Sequence, residues 1–247
     1  MSLKKLLLAI LLTTVPAAAV TAQTNGEASK GANGEEARSA IRRGNEKYTQ
    51  ANYRAALEEY SRVPENSGEA YAQSLYNIGV CYYELYRTED AIIFYQRAIA
   101  AREGRYPRAW YALGVALEDR GRLKQAKEAF KQSISSSRDG YALAQFKLGV
   151  LAAAEGDYST AAVLFKKAGA RSGEHVASSH NNLGVVLAHL GRLTEAEREF
   201  EVALKQANGT FDDAAHNLQL CRSMLSTTTK TLVASLKLVE TTPVLLK

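Results

Sequence analysis

Residues 181–204, NNLGVVLAHLGRLTEAEREFEVAL, set Leu183-Gly184 ahead of Ala196, twelve residues past the glycine, and Phe200, sixteen past it. The pattern recurs. Steps of 35 back from Gly184 reach Gly149, Gly114, Gly79 and Gly44. Twelve residues after each glycine stands Ala196, Ala161, Ala126, Ala91 or Ala56, and sixteen after stands Phe200, Phe165, Phe130, Tyr95 or Tyr60. Glycine makes up 17 of 247 residues, so four further in-register glycines would arise by chance with odds of roughly two in 10⁵. A period in the thirties specifies a solenoid of stacked units.

Each unit splits into two helix-length apolar patterns. In the third, PRAWYALGVALEDR (107–120) is the first helix and GRLKQAKEAFKQSI (121–134) the second. Gly121 marks the turn, as Gly156 and Gly191 do in the next two units, because glycine tolerates the backbone angles of a sharp turn. Leu123, Ala126, Phe130 and Ile134 recur at offsets of three and four and form the apolar stripe of the second helix. A glycine or alanine at a helix crossing lets two backbones approach, and the ring four residues past the alanine fills the space beside that contact. One helical pair cannot bury its own stripe, so units must stack.

These columns resemble the tetratricopeptide repeat, W-x₂-L-G-x₂-Y then A-x₃-F with a usual period of about 34. Unit three carries Trp110, Leu113, Gly114, Leu117 in place of the tyrosine, Ala126 and Phe130. The resemblance covers five units over residues 37–210, beginning near 37, 72, 107, 142 and 177. It implies an all-α, right-handed solenoid of five helix-turn-helix repeats. Arg43 stands where unit one should have leucine, and the 35-residue period implies one extra residue between units. The usual proline near each unit's end is missing. TFDDAAHNLQLCRSML then repeats the first-helix pattern with Gln219 in place of the glycine. With no clear second helix after it, residues 212–225 are expected to form a capping helix, whose N-terminus suits Asp212 and Asp213.

The N-terminus, MSLKKLLLAILLTTVPAAAVTAQ, has two lysines, an apolar run and Val20-Thr21-Ala22, the order of a secretory signal cleaved after Ala22. Residues 1–22 are therefore expected to be removed on export to a periplasm or medium. If retained they would tether the chain to a membrane. Residues 23–36, rich in glycine and polar side chains, are expected to be a flexible linker. Of 31 basic residues, Lys4 and Lys5 leave with the signal, so 29 face 26 acidic ones. That balance gives no nucleic-acid signature. Cys81 and Cys221, about six helices apart, are too distant to bridge and are expected to be buried small residues. The tail, residues 226–247, has no clean period: it could extend the cap, fold back, or hang free to bind a partner.

No catalytic constellation, glycine-rich phosphate loop or metal-type cysteine pair appears among these residues. Neither an enzyme nor a cofactor nor a small-molecule substrate is expected. His180 takes the column of Trp110 and is expected to be a packed or half-exposed core residue. The first helices carry a second apolar stripe, three before the glycine, one after and four after. It holds Tyr76, Val80 and Tyr83, then Tyr111, Val115 and Glu118, then Phe146, Val150 and Ala153. In tetratricopeptide solenoids first helices line the concave surface, so the resemblance implies that this stripe faces a groove and supplies anchors. The alternative is that it thickens contacts between neighbouring first helices. Polar residues occupy the adjacent offset: Arg42, Asn77, Lys147, Asn182 and Asn217. An asparagine amide can pair with both donor and acceptor of a peptide backbone, giving affinity tolerant of sequence. Some family members clamp a partner's C-terminal carboxylate with lysine, asparagine, asparagine, lysine and arginine. Asn45, Asn77 and Arg108 fall in three of those places, while Ile41 and Ala112 remove two charges. The expected function is an exported scaffold holding a peptide segment or partner helix within an envelope-associated complex. The alternative is an assembly protein that self-associates through the solenoid ends or the tail.

Overall fold

The computed structural model describes residues 34–173, 175–226 and 230–240, with backbone alone at 230–232. The expected signal, 1–22, and most of the expected linker lie outside the described residues. Described structure starts inside that linker, since helix α1 runs over 34–49. Ten more α-helices follow among the described residues: α2 (Tyr53–Ser61), α3 (Glu69–Glu84), α4 (Thr88–Ala101), α5 (Pro107–Asp119), α6 (Leu123–Ser135), α7 (Ala142–Ala154), α8 (Tyr158–Gly169), α9 (Val176–His189), α10 (Leu193–Gln206) and α11 (Asp212–Ser226). A short 3₁₀ turn, Lys230–Ser235, and an extended stretch, 236–240, end the described chain. The helices pack chiefly on their neighbours in sequence, as in an α-solenoid of helix pairs.

The repeated columns explain the pairing. Ala56, Ala91, Ala126, Ala161 and Ala196 and the rings Tyr60, Tyr95, Phe130, Phe165 and Phe200 are all fully buried. Each ring lies against the glycine sixteen residues before it, so a Cβ there would overlap ring carbons in every unit. Two further small columns were not anticipated. Ser74, Ala109, Ala144, Ser179 and Ala214 on first helices, and Ala98, Ser133, Ala168 and Ala203 on second helices, are buried at the same 35-residue interval. They let each unit approach the next.

Gly121, Gly156 and Gly191 turn with φ of 69°, 80° and 77°. The equivalent positions in units one and two are Ala51 and Tyr86, held at φ 55° and 58° despite their side chains. Asn52 and Asp157 cap α2 and α8 by accepting from the backbone amides of Ala55 (3.3 Å) and Thr160 (3.0 Å). The cap covers unit five as expected: Leu218, Cys221 and Met224 are buried, and Arg222 reaches back to Glu197 (2.7 Å) and Glu201 (2.6 Å) on α10. Both cysteines are buried and unbridged. Burial pushes the Cys81 thiol up to about 12 and that of Cys221 to about 11. Among the described residues, no helix is long and apolar enough to cross a membrane.

Candidate peptide-binding groove

The expected aromatic anchors are not presented to a groove. Tyr76, Tyr111 and Phe146 are essentially fully buried. Each packs on the ring in the middle of its own unit's second helix: Tyr76 on Tyr95 at 5.8 Å between centroids, Tyr111 on Phe130 at 5.9 Å, and Phe146 on Phe165 at 5.6 Å. Val80, Val115 and Val150 are buried with them, and Tyr83 donates its hydroxyl to Asp119 of the next unit. The stripe therefore packs within the core. The reason is the 35-residue register itself, which puts a ring four residues past each alanine and leaves room beside it for a second ring.

The adjacent polar column is different. Asn182 on α9 donates from Nδ2 to the carbonyl oxygen of Val239 (2.8 Å) and accepts from the Val239 amide at Oδ1 (2.9 Å). One unit further on, Asn217 on α11 donates to the Lys237 carbonyl (3.0 Å) and accepts from the Lys237 amide (3.0 Å). Asn181 ties the two clamps together. Its Nδ2 donates to the Lys237 carbonyl (3.2 Å) and to Asn182 Oδ1 (3.2 Å), and its Oδ1 accepts from Asn217 Nδ2 (2.9 Å). All three asparagines are fully buried, where each unpaired amide would be costly, so the network fixes their rotamers.

Residues 236–240 thus fold back as an extended strand on the first helices, running opposite to the repeat order. Clamps 35 residues apart in the solenoid grip residues two apart in the strand, because alternate residues of an extended chain turn their N–H and C=O to one side. Leu236 is buried against the α9–α11 core, and the Lys237 ammonium lies 3.5 Å from Asp213.

Towards the N-terminus the column continues through Lys147, buried and paired with Glu118 at 3.2 Å, and Asn77. Asn77 donates to Asn45 Oδ1 (3.4 Å), which also accepts from the Tyr60 hydroxyl (2.7 Å). Here the structure does bring predicted residues together. Asn45, Asn77, Arg108 and an edge of Tyr76 line a cavity of about 310 Å³ with Tyr48, Gln73 and Tyr106. Arg108 lies over the Tyr76 ring at 5.4 Å. Gln73, Tyr106 and Asn181 were missed by sequence reasoning. Tyr106 stands in an unread aromatic column with Tyr71, Tyr141 and Phe211, Asn181 in the column of Tyr76, Tyr111 and Phe146, and Gln73 in that of Arg108, where the change of residue type hid the last two.

His175, His180 and His189 are packing residues, and His216 is exposed. His180 bonds Glu199 through Nδ1 (2.6 Å), and His189 stacks on Tyr158 at 4.4 Å. Burial lowers the pKa of His175 and of His189. Among the described residues no group of three histidines, cysteines or acids could hold a metal ion.

Models of the tetratricopeptide repeat match residues 33–104, 107–139 and 146–211. No curated protein matches the chain. Among solved structures, a crystal structure of MamA superposes with a TM-score of 0.56 at 22% identity, covering 67% of this chain and 94% of that one. MamA 41-end from Desulfovibrio magneticus RS-1 gives 0.56 at 15%, covering 71% and 97%. BtubC (BKLC) from P. vanneervenii gives 0.57 at 17%, covering 74% and 91%. These likenesses speak to the fold alone. With the glycine, alanine and ring columns packed as the repeat requires, and three matched stretches spanning the helical body, the chain belongs to the tetratricopeptide repeat family.

Proposed function

We propose that the chain is an exported scaffold that holds an extended segment of a partner protein in the groove formed by its first helices. One observation carries the reading: Asn182 and Asn217 each close a two-bond clamp on a single backbone residue. Such clamps read main chain and ignore side chains, which suits binding and supplies no reacting group. An extended segment is favoured over a partner helix, whose backbone groups are already paired within it.

The reading is tested with a photo-reactive residue at exposed Gln73, beside the cavity of Asn45, Asn77 and Arg108, against one at exposed Lys131 on α6. Discrete protein adducts from position 73 and none from 131 are expected. The same adducts from both positions would overturn it. Export is tested by the mass of the mature protein, expected to begin at Gln23. Retention of Met1 would mean the segment stays as an anchor.

A further inference from the structure

We infer, on the groove reading above, that residues 236–240 are an internal stand-in for the partner. The partner's segment enters the same asparagine clamps as an extended strand with an aliphatic residue just before the first gripped position, and it displaces residues 236–240 to bind.

The tail is held as a ligand would be held. Its contacts are side-chain amides on main chain, and of its side chains at 236–240 only Leu236 is buried. Leu238 is 36% exposed and the Lys237 side chain 60% exposed, so little apolar burial keeps the strand in place. The chemistry asked of an occupant follows. It needs free N–H groups at the two gripped positions, which forbids proline there. It needs an aliphatic residue just before the first, as buried Leu236 precedes Lys237. It tolerates a basic side chain opposite Asp213.

Direction and register also follow. The strand enters at the cap and runs towards unit one, two residues per unit. From Asn217 to Asn77 is four units, so a segment of about nine extended residues reaches the cavity bounded by Asn77, Asn45 and Arg108. Contacts there add to the clamps that grip Lys237 and Val239 and strengthen a segment long enough to span both. A tethered tail competes at an effective concentration of about millimolar, so a free copy of its sequence binds poorly until the tail is weakened.

The test uses the full chain and a fluorescent synthetic peptide, KTLVASLKLVE, the sequence of residues 230–240. Val239→Pro removes the amide that Asn182 accepts from and changes no helix residue. Anisotropy is expected to show that V239P binds the peptide at least about tenfold tighter than wild type, with an unchanged helical circular dichroism spectrum. Adding N182A to V239P is expected to erase the gain, as is a proline in the peptide at the place of Val239. Equal peptide binding by wild type and V239P would overturn the inference. So would a V239P that melts much earlier and gains no binding, since the tail would then be structural cover. Adducts at position 73 alongside either failure would leave the groove reading standing and this inference alone refuted.

Discussion

Gly114 and Phe130 leave no room between them: a Cβ on Gly114 would stand 2.5 Å from Cε1 of the buried ring. The equivalent distance is 2.4 Å at Gly44, 2.6 Å at Gly79 and Gly184, and 2.9 Å at Gly149. Five crossings are thus set by one contact. Alanine favours a helix over glycine by about 1 kcal/mol, yet forcing a methyl into a filled crossing costs about 1–3 kcal/mol. Gly114→Ala is therefore expected to destabilise by about 2 kcal/mol, and Gly149→Ala by less. Thermal denaturation of the two variants checks both sign and order, and a raised melting temperature for G114A would contradict the packing account.

Tyr86 holds a left-handed backbone where three other units use glycine, and its side chain is 95% exposed. Left-handed geometry costs an L side chain about 1–2 kcal/mol, and almost no packing is lost with this ring. Tyr86→Gly is expected to stabilise by about 1 kcal/mol, while Gly191→Ala at the matching position is expected to destabilise by a similar amount. Denaturant midpoints moving the other way would show that the exposed ring contributes more than its surroundings suggest.

The ring column also predicts a pair of opposite signs. The Tyr60 hydroxyl donates to Asn45 at 2.7 Å, whereas the Tyr95 hydroxyl is buried without a partner among the described residues. Removing a bonded buried hydroxyl costs about 1 kcal/mol, and removing an unpaired one relieves its desolvation. Tyr60→Phe should lower stability and Tyr95→Phe raise it. Phenylalanine already fills this column in units three to five. Urea unfolding of the two variants, measured side by side, decides.

Replacing Tyr76, Tyr111 and Phe146 together by serine is expected to unfold the chain. Each ring is enclosed, and truncating a buried aromatic costs about 3–5 kcal/mol. Loss of helical circular dichroism at 25 °C is the expected outcome, and a folded triple variant would return these rings to the groove. The sequence could not separate this stripe from the polar column beside it. Both lie on first helices at the same period, and one residue of rotation around a helix separates a ring packed on the unit's own second helix from an amide turned to the strand. What was legible was whatever repeats: the glycine, alanine and ring columns, the turns at Gly121, Gly156 and Gly191, and the cap. The chemistry of Asn182 and Asn217 was legible too, because an amide's two-sided bonding is a property of the residue. Residues 236–240 were not, since an extended strand gripped through its backbone leaves no periodic mark in its side chains. Ala51 and Tyr86 were missed as turns for the converse reason: the fold imposes a glycine's geometry on residues that do not advertise it.

The cap gives the last prediction. Helix α11 covers unit five with Leu218, Cys221 and Met224, and Arg222 adds two ion pairs to α10. The ion pairs are half exposed and contribute little by themselves. The buried side chains are another matter. Ending the chain at Phe211 would uncover the faces of α9 and α10 that carry Leu183, Leu187 and Phe200, all buried in the intact protein. Losing cover over several large side chains costs several kcal/mol, a large share of a domain's stability, and the exposed face would self-associate. Ending the chain at Ser226 instead removes the strand but leaves every solenoid helix, and the freed amides of Asn182 and Asn217 can take water in the opened groove. The shorter chain is therefore expected to melt far earlier and to run as aggregates in light scattering, while the longer one melts within a few degrees of wild type as a monodisperse species. If both truncations melted alike, the stability attributed to α11 would belong to the tail.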